Sequence, residues 1–177
     1  MTTTSKKDIF SALKEKFGYA NMFQAPRIEK AVVSVGVGSL RGDKGRLALI
    51  EDRLAKITGQ KPAPRQAKKS IASFKVRQGD VSGYQVTLRG SRMYAFLDKL
   101  IHIAFPRARD FRGLKLGAID EMGNFTIGIK EHTVFPETSD EDLRDVFGLA
   151  VTIVTTAKTK EEAEALLREV GVPLRAE

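Results

Sequence analysis

Apolar residues along this chain recur at two periods, and the changes between them mark out its elements. Ile9, Phe10, Leu13 and Phe17 fall at helical spacing behind Ser5-Lys-Lys-Asp8, a capping box, and Gly18 closes that helix. Over residues 27–37 the period drops to two. Ala31, Val33, Val35 and Val37 share one face of a strand, with Lys30 and Ser34 on the other. Asp43 opens a second helix whose stripe is Leu47, Ile50, Leu54 and Ile57, with Gly59 as its stop.

Residues 61–70 read as a basic, proline-containing connector. Residues 71–77 and 84–89 are two β-type runs around a polar, glycine-flanked hairpin tip at 78–83. Ser91 is expected to cap a third helix with Met93, Phe96, Leu97, Leu100 and Ala104 inward, terminated by Pro106. Residues 107–123 have no clean period and read as a long loop. Residues 124–130 form a strand with Phe125, Ile127 and Ile129 on one face, and 131–147 are acidic and irregular. A last strand over 149–156 sets Val151 and Ile153 opposite Thr152. Thr159-Lys-Glu-Glu162 is a second capping box, for a helix with Ala163, Leu166, Leu167 and Val170 inward that Gly171 and Pro173 stop.

Strands with one apolar and one polar face predict an α+β fold. The sheet is mostly antiparallel, with helices packed on one face, the other face open, and long hairpin and loop extensions. The open face would display Lys30, Ser34, Gln85, Thr87 and Arg89, and an open polar sheet face is a platform for RNA. The 177 residues, without repeats, low-complexity blocks or a linker, suit a single domain over 1–177.

Charge sharpens this picture. The formal net charge is +8, but its distribution is uneven. Residues 61–115 hold thirteen Lys/Arg and three acids, residues 1–60 eleven and six, and residues 116–177 six and thirteen. A +10 middle is the electrostatic footprint expected for phosphates, against the plainer reading of a solvated basic surface. The acidic end suits either a solvated face or a dock for a basic protein. With no cysteine, disulfides, thiolate metal sites and Cys nucleophiles are excluded. The first residues lack the apolar core of a signal peptide, and no apolar run approaches the roughly 18 residues of a membrane span. A soluble, cytoplasmic protein is expected, with no membrane contact.

Candidate catalytic chemistry is thin. Gly36-Val-Gly38-Ser-Leu-Arg-Gly42 follows a strand and precedes a helix, but its third glycine is one place late for a dinucleotide fingerprint, and no P-loop is present. His102 reads as a helix-face or satisfied core histidine and His132 as a surface one. No nucleophile–base–orienter set emerges, so the chain is expected not to be an enzyme and to need neither cofactor nor metal. The stretch 60–77 differs: six bases, no acid, and Phe74, which would either stack on a base or, alternating with Ala72 and Val76, face the core. A nucleotide-binding enzyme using the turn at 36–42 and a general DNA-binding protein are the alternatives to an RNA binder.

A set of motifs resembles one known family. These are Gln24-Ala-Pro-Arg-Ile-Glu-Lys30, Gly36-Val-Gly38, Thr58-Gly-Gln-Lys-Pro62, Ala67-Lys-Lys-Ser70, Phe74-Lys-Val-Arg-Gln-Gly79 and Val86-Thr-Leu-Arg-Gly90. Phe105-Pro-Arg-Ala-Arg-Asp-Phe-Arg-Gly113, Gly123-Asn-Phe125, Phe135-Pro-Glu137 and Thr155-Thr-Ala157 continue the series in the same order. The chain is similar to the fifth large-subunit ribosomal protein, the family that binds 5S ribosomal RNA. The resemblance implies a place in the central protuberance of the large subunit, on 5S and large-subunit RNA beside neighbouring proteins, and no homo-oligomer. It implies RNA-facing positions at Ser34, Gln60, Lys61, Lys68, Lys69, Phe74, Thr87 and Arg89. It implies a tip toward peptidyl-site transfer RNA at Lys75, Arg77, Gln78, Gly79, Asp80, Val81 and Ser82. The acidic run with Glu137, Asp140, Glu141, Asp142 and Asp145 would face a basic protein of the small-subunit head, an intersubunit bridge. The chain departs from the family at Ser34, usually Asn, at Ala150, usually Asp, and at Asp80-Val-Ser-Gly83, which replaces a proline-containing tip and sets a carboxylate where phosphate is expected.

Overall fold

The computed structural model describes residues 6–40, 43–109, 111–139 and 145–175. The element order is α1 (Lys6–Phe17), β1 (Ile28–Gly36), α2 (Lys44–Thr58), β2 (Ala63–Gln66), β3 (Val81–Leu88), α3 (Gly90–Lys99), α4 (Phe105–Arg107), β4 (Phe125–Ile129), β5 (Leu149–Thr155) and α5 (Lys160–Glu169). The five strands form one open sheet in the order β2-β3-β1-β5-β4. The pairings are antiparallel. The end of β1 meets the start of β3 through the Val37 N–H to Ser82 carbonyl bond, and the start of β1 meets the end of β5 through the Thr156 N–H to Arg27 carbonyl bond. An antiparallel sheet has no parallel β-α-β unit for a dinucleotide fingerprint at Gly36 and Gly38 to serve.

Burial follows the predicted alternation. Ala31, Val33 and Val35 of β1, Val86 and Leu88 of β3, Phe125 and Ile127 of β4, and Val151 and Ile153 of β5 are buried. Lys30, Ser34, Gln85, Thr87 and Thr152 are half-buried on the other face. Each fully buried large side chain contributes about 1.5–3 kcal/mol of transfer free energy, so the buried face accounts for which way the strands turn.

By compactness the chain divides into two units, Met1–Ala31, Arg89–Ile127 and Thr152–Glu177 in one, Val32–Leu88 and Gly128–Val151 in the other. In the first, α1 packs on α5, with Leu13, Tyr19 and Ala165 buried among Ile9, Phe10, Phe17 and Ala25. The Thr159 hydroxyl accepts the Glu162 N–H at 3.3 Å, as a capping box requires, but the Glu162 carboxylate reaches back one residue further, to the Lys158 N–H at 2.9 Å. The capping role read at Ser5 lies outside the described residues.

Three local expectations are corrected here. The third helix starts at Gly90 and not with Ser91 as cap, and Arg89 holds the N-cap position. Pro106 does not end it at once. The helix widens into a π turn, Leu100–Ala104, and runs on through Arg107. A proline ring clashes with the carbonyl four residues back, and the longer-range Phe105 N–H to Leu100 carbonyl bond opens the turn that accommodates it. His132, expected at the surface, is fully buried.

In the second unit the Asp43 carboxylate caps α2 by accepting the Arg46 N–H at 3.1 Å, and Gly59 closes it with φ of 67°. Ile50, Leu54 and Ile57 are buried as the stripe predicts, and so is Arg53. The basic connector is not structureless. Ala63–Gln66 is an exposed edge strand, and only an edge tolerates its Pro64. Residues 71–77, read as a strand, are not one. They hold a 3-10 turn, Ala72–Phe74, and a single bridge between Ile71 and Val76.

Candidate nucleic-acid interface

The hairpin that carries the basic residues is therefore β2–β3, and its connection is the whole of residues 67–80. The register pairs Ala63 with Gln85, Pro64 with Tyr84 and Arg65 with Gly83, then slips between Arg65 and Gln66, where a bulge turns the edge. Gly83 is required at that point. A Cβ there would lie 2.6 Å from the Val35 carbonyl oxygen, well inside contact distance.

Residues 67–80 are closed by their own hydrogen bonds. The Ala67 N–H donates to the Asp80 carbonyl at 2.8 Å and the Gly79 N–H to the Ala67 carbonyl at 3.1 Å, forming a neck. Beyond it Ile71 and Val76 exchange N–H and carbonyl at 2.9 and 3.1 Å. The Ser70 hydroxyl accepts the Gln78 N–H at 2.9 Å, and the Asp80 carboxylate accepts the Arg77 N–H at 2.8 Å. Lys75 takes the left-handed conformation, φ 51°, a strained state for a side chain with a Cβ, and its N–H returns to the Ala72 carbonyl.

This scaffold directs side chains outward. Lys68, Lys69, Lys75, Arg77 and Gln78 are exposed or half-exposed, and Phe74 is 69% exposed, so it does not face the core. Eight of the positions expected from sequence thus lie on one excursion: Lys68, Lys69, Phe74, Lys75, Arg77, Gln78, Gly79 and Asp80. Val81 and Ser82 do not belong to the tip. They begin β3, and the Ser82 carbonyl is bonded into the sheet. Asp80 carries the one carboxylate among four bases here, and the Arg77 amide bond turns it onto the loop's own backbone.

At the base of the hairpin Gln60 donates from Nε2 to the Thr87 carbonyl at 3.4 Å, bringing two more expected positions together. Lys61 is exposed and 3.9 Å from Glu51, a long surface pair that leaves its ammonium available to solvent. Arg65, not singled out by sequence, donates from Nε to Gln85 Oε1 at 2.6 Å on the half-open face. Ser34 sits half-buried on the corresponding face of β1, and Arg89 is exposed.

The expected acidic contact is only partly described. Glu137 is exposed. Asp145 is half-buried, its carboxylate 3.1 Å from Arg46 Nε and its carbonyl accepting from Arg53 Nη1 at 3.0 Å. Asp140, Glu141 and Asp142 lie outside the described residues. Sequence reasoning missed Arg53, although it stands three residues after Ile50 and four before Ile57 and so falls on the inward stripe. His102 lies on an exposed helix face, with Nδ1 3.0 Å from the Asp98 carboxylate one turn earlier.

Comparison with known proteins covers nearly the whole chain. Residues 21–77 match the family model described as Ribosomal protein L5, and residues 81–174 match the model for the C-terminus of the same ribosomal family. The chain is 50% identical over 173 residues to the large ribosomal subunit protein uL5 of Syntrophomonas wolfei, covering 97% of each chain. It is 48% identical over 170 residues to the protein of that name from Flavobacterium johnsoniae, covering 96% of this chain and 93% of the other. For Microcystis aeruginosa the identity is 45% over 175 residues, covering 99% and 98%.

Proposed function

The chain belongs to the L5 family of ribosomal proteins, and from that premise we propose that its basic excursion at 67–80, with the half-open sheet face beside it, is the surface that holds 5S ribosomal RNA. As a member of that family it is a structural constituent of the large ribosomal subunit, partnered by ribosomal RNA and ribosomal proteins, and not an enzyme.

The observation that carries the RNA reading is the closed neck at Ala67, Gly79 and Asp80. Four bases project from a loop that its own hydrogen bonds have already ordered, so binding does not bear the full cost of ordering it. Lys68, Lys69, Lys61 and Arg89 supply phosphate contacts. Ser34, Gln60, Thr87 and Arg65 supply the shorter polar contacts that read riboses and base edges. The apex, Phe74 to Gln78, is the part directed at peptidyl-site transfer RNA, and the chain serves as one domain of the central protuberance.

The test is 5S RNA affinity measured against salt for Lys68→Ala, Lys69→Ala and Arg89→Ala. Each true phosphate contact lowers the salt slope by roughly 0.7 to 0.9 when removed. Unchanged slopes would remove those residues from the interface, and equal competition by duplex DNA would favour a general nucleic-acid binder. The acidic segment is read as the dock for a basic small-subunit protein. Glu137→Lys is expected to weaken subunit association most at low salt, and unchanged association at every salt concentration would mark Glu137 as ordinary solvated surface.

A further inference from the structure

A buried cluster away from the basic hairpin carries an inference that does not depend on RNA. Arg53 of α2 is 4% exposed and His132 is 0% exposed. Arg53 Nη1 lies 3.3 Å from His132 Nε2 and donates to the Asp145 carbonyl at 3.0 Å. The Phe147 N–H donates to His132 Nδ1 at 3.3 Å, and the His132 N–H donates to the Phe147 carbonyl at 3.1 Å. The two rings stack with centroids 4.2 Å apart. The His132 carbonyl also receives the Thr138 hydroxyl at 3.0 Å and the Phe135 N–H at 3.1 Å. His132 thus joins α2 and residues 145–147 through its ring, and Phe135 and Thr138 through its carbonyl.

Both ring nitrogens face donors. A neutral imidazole carries one acceptor, so it accepts from either Phe147 or Arg53 according to its tautomer. An imidazolium carries none and places a second cation against the guanidinium. Among the described residues, the charged groups acting on the ring are Arg53 and the neighbouring Glu131, which opposes it. The Asp145 carboxylate is engaged by Arg46.

We propose that Arg53, His132 and Phe147 form a pH-sensitive latch, which holds residues 145–147 against residues 132–138 and α2 while the imidazole is neutral and releases them when it takes a proton. Burial first, and the Arg53 charge second, hold the His132 pKa below the ordinary histidine value. With the folded value depressed, the contribution to stability is complete above the unfolded value of about 6.5. It is lost as pH falls through the folded value.

The experiment follows histidine ring signals and amide hydrogen exchange by NMR from about pH 7.5 to about pH 5. The chain has two histidines, so a His102→Gln variant assigns the rings. The latch predicts that the Phe135, Thr138 and Phe147 amides lose protection about tenfold per pH unit as pH falls from about 6.5 toward the folded titration of the His132 ring, and level off below it, while the Val33 and Val35 amides keep theirs. Arg53→Met is expected to raise the titration of that ring. His132→Asn keeps an acceptor for Phe147 but cannot titrate, and should abolish the local acid effect even if Arg53→Met does not fold. Titration of the ring with protection unchanged would overturn the latch. So would simultaneous loss at the strand amides, or the same acid effect in His132→Asn.

Discussion

The Tyr19 hydroxyl donates to Glu162 Oε1 at 2.9 Å, joining the segment after α1 to the first turn of α5 across 143 residues of sequence. The same carboxylate accepts the Lys158 N–H from its other oxygen, so the phenol is built into the cap of α5. Tyr19→Phe removes a hydrogen bond to a charged group and should cost about 1–2 kcal/mol, a fall in Tm of a few degrees by calorimetry at neutral pH. Burial, and then Glu162, push the phenol well above its ordinary pKa. The folded state therefore keeps a proton that the unfolded chain loses near pH 10, and stability falls as pH rises beyond that point. Denaturant midpoints measured from about pH 9 to about pH 11 should fall less steeply for Tyr19→Phe than for the native chain.

Gly83 and Gly36 make a matched pair of probes. An added Cβ at Gly83 meets the Val35 carbonyl oxygen at 2.6 Å, and at Gly36 it meets nothing within 4 Å. Backbone cannot give way as a flexible side chain does, so Gly83→Ala is expected to cost about 1–3 kcal/mol in urea unfolding. Gly36→Ala should stay within about 0.5 kcal/mol of the native protein, as an unhindered substitution does.

Asp80 separates two physical roles by sign. If its carboxylate faced RNA phosphate, both Asp80→Asn and Asp80→Ala would raise affinity. Its bond to the Arg77 N–H predicts a split outcome instead. Asn keeps an acceptor and should bind 5S RNA at least as well as the native chain. Ala should bind several-fold less, because ordering the loop then costs about 1 kcal/mol more. Filter binding at fixed salt, with exchange of the Arg77 amide as a control for loop order, distinguishes the two.

Where the sequence was readable, a face was buried. The 3.6 period of α2 and α5 and the alternation of β1, β4 and β5 survive because each presents one apolar side to the core. Residues 71–77 misled for the opposite reason. Ile71 and Phe74 are exposed, so the run's apolar content reports a surface and not a pleat. Strand β2 was hidden because an exposed edge with a proline has no apolar alternation to show. On the basic excursion, residue type and charge singled out Lys68, Lys69 and Phe74, but not the neck at Ala67 and Asp80 that groups them. That neck is made by backbone atoms, which every residue possesses. His132 was misjudged because its partner Arg53 lies 79 positions away, a separation that no local period reports.

The edge strand has a consequence for the molecule before it meets RNA. A ribosomal protein is synthesised apart from its subunit, and an unpaired strand edge invites another chain to add to it. Ala63–Gln66 is four residues long, lacks an N–H at Pro64, carries Arg65 and is bent by the bulge after it. Strand addition along that edge would find few donors and a positive charge. Features that disguised β2 in the sequence thus also make this edge a poor template for an added strand.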